Sequence, residues 1–276
     1  MKMMKWTSTI TALSLSMISA SAFSANDEKF QNELTISYMD LSSSSIDVEP
    51  TWSAQYTYFG SHISQKTSPY QLNRFISQTS TLDLNYSNTD GDSSYGIGGE
   101  YVFDSKWFIG GDYQRADYSL FGDTDVYNAN FGYYINDFTK VYFAASKSEE
   151  DTSLAQLDGY QYDIGLKTFI RTAYGEGVYV TADYTYNDSE VKTVLGTVKS
   201  NSKGWGIKAD YYFTKSFSLG GSYSDSTFEN SDDTYAVSAD YFLRIVDNVS
   251  IEFSADKVIE PSEQGFSYHV SLIGRF

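Results

Sequence analysis

The sequence contains no cysteine and only two histidines. Without cysteine the chain can form neither a disulfide nor a thiolate metal site. His62 and His269 stand far apart in the chain, and neither is accompanied by the serine and aspartate pattern of a hydrolase. We therefore expect no transition-metal site, no cofactor and no catalytic residue, and the sequence predicts a protein that is not an enzyme.

A long apolar run is also missing beyond residue 25, so no segment reaches the ~20 residues of a membrane helix. The first residues differ from the rest, because Met1–Lys5 is charged, Ile10–Ile18 is mostly apolar and small residues follow. This order is typical of a secretory signal peptide, with cleavage after Ala22 or Ala25. The lack of cysteine suits export into an oxidising compartment, where thiols would cross-link. We expect residues 1–25 to be removed and residues 26–276 to form one domain.

Basic residues are scarce, with 19 lysines and arginines against 36 acidic residues. Removal of Lys2 and Lys5 with the signal peptide leaves 17 against 36, which is a net charge of −19. An excess of negative charge of this size argues against nucleic acid as a partner.

What the sequence does contain is apolar and polar residues in strict alternation. In the last eleven residues, Phe266, Tyr268, Val270, Leu272 and Phe276 alternate with mostly polar side chains. A period of two indicates a β-strand with one apolar and one polar face. Thirteen earlier segments repeat the pattern, so we predict about 14 antiparallel strands, with 12 to 16 possible.

The connections between these segments alternate in length, and aromatic residues collect near the strand ends. The pattern is typical of a transmembrane β-barrel with short periplasmic turns, long external loops and both termini in the periplasm. A soluble β-sandwich is disfavoured, because its outer faces would be polar. The short connections are Asp104–Lys106, Asn136–Thr139, Thr214–Ser216 and Arg244–Asn248, and the long ones are Glu149–Asp158, Asn187–Lys203, Ser226–Asp233 and Ile259–Gln264. The aromatic or large apolar residues near the short connections are Phe103, Trp107, Phe138, Phe169, Phe213, Phe217, Leu243 and Phe276.

The closing strand with its terminal Phe276 resembles the last strand of bacterial outer-membrane barrels. In that class the last strand is the signal read by the barrel-insertion machinery, and the resemblance implies this role for Phe276. A second stretch, with Pro69, Phe75, Ser80 and Leu82, is similar to the putative general bacterial porins of Gram-negative bacteria. The residues 70–73 depart from the small and acidic residues of that family. The resemblance implies a porin in the outer membrane.

One connection breaks the rule of short turns. Gly60–Ser77 falls on the short-turn side but is long. Either it is an excursion with a helical turn, or the strand count is wrong by two at this point.

An acidic residue recurs between two apolar neighbours on many of the predicted strands, and the alternation turns these acids toward the barrel interior. Such acids would favour cations in a water-filled pore, or they serve only as polar lining. The predicted inward acids are Asp83, Glu100, Asp112, Asp183, Asp210, Asp240 and Glu252, and the predicted inward bases are Lys167, Lys208 and Arg275.

These features predict an outer-membrane channel for passive diffusion of small hydrophilic solutes and ions, with a mild cation preference. The alternative is a barrel without a channel that acts through its surface loops. Outer-membrane lipid, lipopolysaccharide and the insertion machinery are the expected partners, and the barrel is expected as a monomer or a homotrimer.

Overall fold

The computed structural model describes residues 29–42, 49–66, 68–118, 122–152, 155–193, 196–227, 233–261 and 265–276. The predicted signal peptide lies outside these residues. The described part contains fourteen strands and one short helix, α1 (Asn73–Ser77), which follows a 3₁₀ turn at Tyr70–Leu72. The strands are β1 (Lys29–Ser42), β2 (Thr51–Ser64), β3 (Thr81–Thr89), β4 (Asp92–Val102), β5 (Trp107–Tyr118), β6 (Gly122–Asn136), β7 (Thr139–Asp151), β8 (Ala155–Ile170), β9 (Gly177–Thr193), β10 (Gly196–Tyr212), β11 (Phe217–Ser226), β12 (Thr234–Val246), β13 (Val249–Glu260) and β14 (Phe266–Arg275).

The strands form one closed antiparallel barrel in which every strand pairs with its neighbours in the chain and β14 pairs with β1. The predicted count of fourteen and the predicted closure are confirmed. At the seam, Leu34 lies opposite Gly274, Ile36 opposite Leu272 and Tyr38 opposite Val270. Closure leaves no free sheet edge along the seam. Within the described residues, no helix has the length and apolar character needed to cross a membrane.

The alternation in the sequence separates an apolar outer face from a more polar inner face. Large apolar side chains on the outside are about half exposed, as at Trp107 (51%), Tyr101 (59%) and Ile164 (60%). Their chain neighbours point inward and are more covered, as at Phe108 (2%). The outward apolar surface therefore needs lipid, because water would not solvate it over fourteen strands.

Two of the expected long loops, Glu149–Asp158 and Asn187–Lys203, are mostly strand among the described residues, whereas Ser226–Asp233 and Ile259–Gln264 lie partly outside those residues. β9 and β10 continue to the pair Thr193 and Gly196, so residues 187–193 and 196–203 form a paired ribbon instead of the expected loop. Most of Glu149–Asp158 likewise belongs to β7 and β8. Polar residues mark the point where a strand leaves the apolar band, and its hydrogen bonds continue beyond that point.

The terminal residue is tied into the seam through its backbone. The N–H groups of Gln31 and Asn32 donate to the Phe276 carbonyl oxygen at 3.0 and 2.7 Å, and Phe276 N–H donates to Asn32 at 2.9 Å. The β1–β2 ladder shifts its register between Phe30 and Asn32, at the residues that receive the end of the chain. The carboxyl end of the chain is therefore held at the short-turn end of the barrel.

Candidate functional site

The long connection between β2 and β3 folds into the short-turn mouth of the barrel. We call residues 65–66 and 68–80 the plug segment. It adds no strand among the described residues, so the excursion with a helical turn is the correct alternative. Pro69 precedes the 3₁₀ turn and Gln78, in the left-handed region at φ 48°, ends α1. Ser68, Pro69, Leu72 and Asn73 are buried.

Inward-facing aromatic rings form a socket that receives the plug segment. Leu72 packs among Phe169 and Tyr212, both 4% exposed. The Tyr70 ring lies 5.3 Å from Phe242 between ring centroids. Aromatic contacts of this kind contribute beyond the burial of area alone. The apolar contacts fix the plug segment inside the barrel end, between β8 and β12.

Two aromatic residues near the short connections, which the sequence analysis counted with the aromatic residues typical of a membrane barrel surface, belong to this interior. Phe169 is buried in the cluster around Leu72, and Phe138 packs against the same cluster. Their positions near strand ends are shared by outer-band and socket residues, so position along the strand could not distinguish the two. The assignment of these two rings to the outer face was wrong.

Adjacent aromatic residues on one strand are the signal that could have revealed the socket. Successive side chains of a strand point to opposite faces, so one ring of each adjacent pair must point into the barrel. The inward ring is buried in five of these pairs, at Phe59, Phe108, Tyr134, Tyr212 and Phe242. The pairs are Tyr58 with Phe59, Trp107 with Phe108, Tyr133 with Tyr134, Tyr142 with Phe143, Tyr211 with Tyr212, and Tyr241 with Phe242.

Polar contacts connect the plug segment to the rim of the mouth. The Gln71 amide nitrogen donates to Glu252 Oε1 on β13 at 2.7 Å, and the Tyr212 hydroxyl donates to Gln71 Oε1 at 3.1 Å. Further contacts reach four turns of this end: Gln65 Nε2 to the Asp247 carbonyl (3.3 Å), Tyr70 N–H to the Lys215 carbonyl (3.0 Å), Gln78 Nε2 to the Asn136 carbonyl (2.8 Å) and Lys106 Nζ to Gln78 Oε1 (3.0 Å). The plug segment therefore extends across the mouth.

We expect Phe169→Ala to lower the free energy of unfolding by about 3 kcal/mol, because it leaves a cavity between Leu72 and Tyr212. Denaturant unfolding of the refolded protein measures the change. Phe143→Ala is the matched control, since this ring is 37% exposed on the outer face and detergent or lipid fills the space. An equal loss in both variants would contradict a packed socket.

Acids on β3, β4 and β5 have close partners inside the barrel. Asp83 Oδ2 lies 2.6 Å from Arg74 Nη2 of the plug segment. Glu100 Oε2 lies 3.3 Å from Lys140 Nζ, and both side chains are less than a fifth exposed. Asp112 accepts from Asn128 at 2.6 Å. On this side of the barrel, two of the three predicted acids are neutralised by bases that the sequence analysis did not select.

A second group of acids lies on β10, β12 and β13, and we call Asp210, Asp240, Glu252 and Asp256 the acidic wall. Asp210 lies 3.3 Å from Lys208 and accepts from Ser238 at 3.4 Å. Asp240 accepts from Ser218 at 3.3 Å. Asp210 is paired in register with Gly220, which lies opposite Ser238, and Ser238 lies opposite Asp256. The wall thus collects four acids on three strands, of which Asp210 is ion-paired with Lys208 and is itself only 5% exposed.

The remaining predicted residues lie in different surroundings. Asp183 lies on β9 opposite Gly206, and Lys167 on β8 has its Nζ 5.5 Å from the Tyr142 ring centre. Arg275 is 5% exposed and ion-paired, so it is not an open lining residue. His269 contacts the Ser271 hydroxyl at 3.1 Å. No cluster of potential metal ligands occurs in the described ranges.

Sequence reasoning missed several charged residues of the interior, among them Asp163, Asp256, Lys140 and Arg74. Asp163 lies between the outward Tyr162 and Ile164 and accepts from Thr185 at 2.6 Å, so the rule used for the other acids would have found it. Asp256 and Lys140 stand at strand positions where one neighbour is polar or a turn is close. Arg74 belongs to the plug segment, whose position only the fold determines.

The outer ribbon of β9 and β10 carries ion pairs beyond the apolar band. Lys192 donates to Asp158 at 2.7 Å, and Lys199 lies 2.7 Å from Glu190. These hydrogen bonds hold the pKa of both carboxyl groups below their ordinary values. Each ion pair contributes to the stability of the folded protein above the ordinary carboxyl pKa, and this contribution is lost as the pH falls through the lowered pKa. The ribbon is therefore expected to keep its ion pairs in mildly acidic surroundings.

The family model described as putative general bacterial porin matches residues 3–273, nearly the whole sequence. The chain belongs to this family. Its membership, together with the closed barrel, makes the protein a porin-type outer-membrane barrel and points to a channel instead of an enzyme.

Solved structures of low sequence identity share the fold of this porin. The outer membrane protein Omp33 of Acinetobacter baumannii is 18% identical with a TM-score of 0.59, over 91% of this chain and 100% of that one. A bacterial polysaccharide outer membrane secretin is 11% identical with a TM-score of 0.57, over 89% and 98% of the two chains. The sequence matches none of the curated proteins.

Proposed function

We propose that this porin forms a water-filled path through the outer membrane for passive diffusion of small hydrophilic solutes and ions. The observation that carries the proposal is the charged inner face of a closed fourteen-stranded barrel. Barrels of eight strands are filled by side chains, whereas barrels of 16–18 strands leave an aqueous channel. Charged side chains such as Asp183 and Lys208 are costly inside a barrel unless water reaches them.

We infer a preference for cations from the acidic wall. Of its four acids, Asp210 is ion-paired with Lys208, whereas Asp83 and Glu100 on the other side have a basic partner each. An excess of fixed negative charge along a water-filled path raises the local cation concentration and repels anions. We therefore expect permeating cations to follow the wall formed by β10 to β13.

The plug segment is expected to set the narrowest part of this path. It contacts strands or turns from β4 to β14 and places buried side chains across the mouth. In our proposal the short-turn end and both termini face the periplasm, so solutes would meet the acidic wall before the plug segment.

Planar-bilayer recording of the refolded protein tests the channel. Stepwise conductance, with a reversal potential directed toward cations in a salt gradient, is the expected result. The recording is repeated with the plug segment deleted, because a firmly closed plug would also give a silent bilayer. Silence of both proteins would overturn the channel and favour a barrel that acts by binding at the cell surface.

The outer face fits lipid and lipopolysaccharide, and the closing strand fits the insertion machinery. Arg115 and Lys147 lie on the outward side of β5 and β7, above the apolar band, each ion-paired with neighbouring acids. Such rims can contact phosphate groups directly or through divalent cations.

For the closing strand, we expect Phe276→Ala to reduce insertion in cells several-fold without impairing refolding into vesicles. The substitution keeps the backbone hydrogen bonds to Gln31 and Asn32 and removes only the aromatic ring. Heat-modified gel mobility measures the folded fraction in both settings. Phe266→Ala, at the other end of β14, is the control. Equal losses in cells and in vesicles would show that the ring serves stability and not recognition.

A further inference from the structure

Arg275, the penultimate residue, joins three parts of the barrel end. Its Nε donates to Glu33 Oε2 on β1 at 2.7 Å, which bridges the last and the first strand. Its Nη1 donates to Gln65 Oε1 at 3.3 Å, and its Nη2 donates to the Tyr70 carbonyl oxygen at 3.2 Å. All three guanidinium nitrogens are therefore engaged, one with the seam and two with the plug segment.

Two aromatic rings enclose the same guanidinium. Its central carbon lies 4.7 Å from the ring centre of Phe30 on β1 and 5.0 Å from that of Phe242 on β12. Phe242 also contacts Tyr70 of the plug segment. The planar, permanently charged guanidinium group suits this position, because it can stack on aromatic rings and donate hydrogen bonds in several fixed directions. A lysine could replace the charge but not this set of contacts.

We propose that Arg275 is a positioning residue for the plug segment, and that it holds the plug in the short-turn mouth from the seam of the barrel. The expected effect of Arg275 on conductance rests on the proposed channel function. Its expected effect on the position of the plug segment does not. A purely structural Arg275 would serve only the ion pair with Glu33, and its loss would leave the plug segment docked by Leu72 and Gln71.

Three variants distinguish the contact of Arg275 with the seam from its contacts with the plug segment. Arg275→Lys keeps a cation beside Glu33 and removes the two guanidinium nitrogens that donate to Gln65 and Tyr70. Gln65→Ala leaves the ion pair of Arg275 with Glu33 unchanged and removes the plug-side acceptor of Arg275 Nη1, together with the Gln65 contact to the Asp247 carbonyl. Arg115→Gln is the matched control, an ion-paired arginine on the outer rim, where Asp117 and Asp123 are its partners.

Docking of the plug segment is measured with a thiol reagent. The chain has no cysteine, so Ser68→Cys introduces the only thiol, at a side chain that is 2% exposed in the docked plug. Each variant is combined with Ser68→Cys, refolded, checked for heat-modified gel mobility and labelled. Single-channel recording of the same proteins gives the second readout.

We expect labelling of the introduced thiol to be about tenfold faster in the Arg275→Lys and Gln65→Ala proteins, as for loss of one charge-assisted hydrogen bond. The Arg115→Gln protein is expected to label at the rate of the parent. Parent-like labelling in both of the first two proteins would overturn the proposal and leave Arg275 a seam residue. Faster labelling with unchanged, silent bilayers would support the positioning role and overturn the channel instead.

Discussion

Single-channel conductance is expected to rise several-fold when residues 61–79 are replaced by Asn-Gly between Gly60 and Ser80. The backbones of Gly60 and Ser80 already share a hydrogen bond of 2.8 Å, so a two-residue turn can connect them. The deletion removes the side chains that fill the mouth, including Leu72 and Phe75. Planar-bilayer recording measures the change.

The same deletion exposes the aromatic socket. Phe169, Tyr212 and Phe242 would face water in the widened mouth, so resistance to heat is expected to fall while conductance rises. Replacing residues 171–176, the turn from β8 to β9, by Asn-Gly is the control, because it shortens the same barrel end and leaves the plug in place. Unchanged conductance in the plug deletion would mean that the plug segment does not limit the path.

Neutralising three acids of the acidic wall is expected to remove about half or more of the cation preference. The triple variant Asp210→Asn, Asp240→Asn and Asp256→Asn removes three negative charges and leaves Glu252, which holds Gln71 of the plug segment. We expect the reversal potential in a KCl gradient to fall by about half or more, since the fixed charge of the lumen sets the local ion ratio. Bilayer recording gives the value.

The control for this variant carries the same change in charge on the outside of the barrel. Three acids surround Arg115 on the outer rim. Their neutralisation should change the reversal potential only slightly, because salt screens charges on the outside of the barrel. These acids are Asp117, Asp123 and Asp125. If both variants shift the potential equally, selectivity comes from net charge and not from the wall.

Much of the barrel could be predicted from local patterns. The period of two indicated the fourteen strands, and the apolar residues of Leu34 to Tyr38 and Phe266 to Phe276 indicated the pair that closes the barrel. These predictions succeed because successive residues of a strand face opposite sides of the sheet, so their polarity alternates with the two environments. Polarity was a poorer guide to where strands end, as the paired ribbon after Asn187 shows.

The candidate site could be predicted only in part. Inward acids such as Asp83 and Glu100 follow from alternation, but the base that pairs with each of these two comes from the plug segment or from another strand. Arg74 neutralises Asp83 and Lys140 neutralises Glu100 because the fold brings the two members of each pair together. No local sequence pattern indicates that they are close.

The order of amino acids alone was enough to predict a closed barrel with an apolar outside and a charged inside. In a membrane every backbone polar group must be paired, so alternating strands of this length have to close on themselves. The inward turn of the connection from Gln65 to Ser80, in contrast, became visible only in the folded barrel. Its position depends on contacts such as Gln71 with Glu252 and Tyr70 with Arg275, which join residues far apart in the chain. Such contacts exist only after the barrel has brought its first and last strands together.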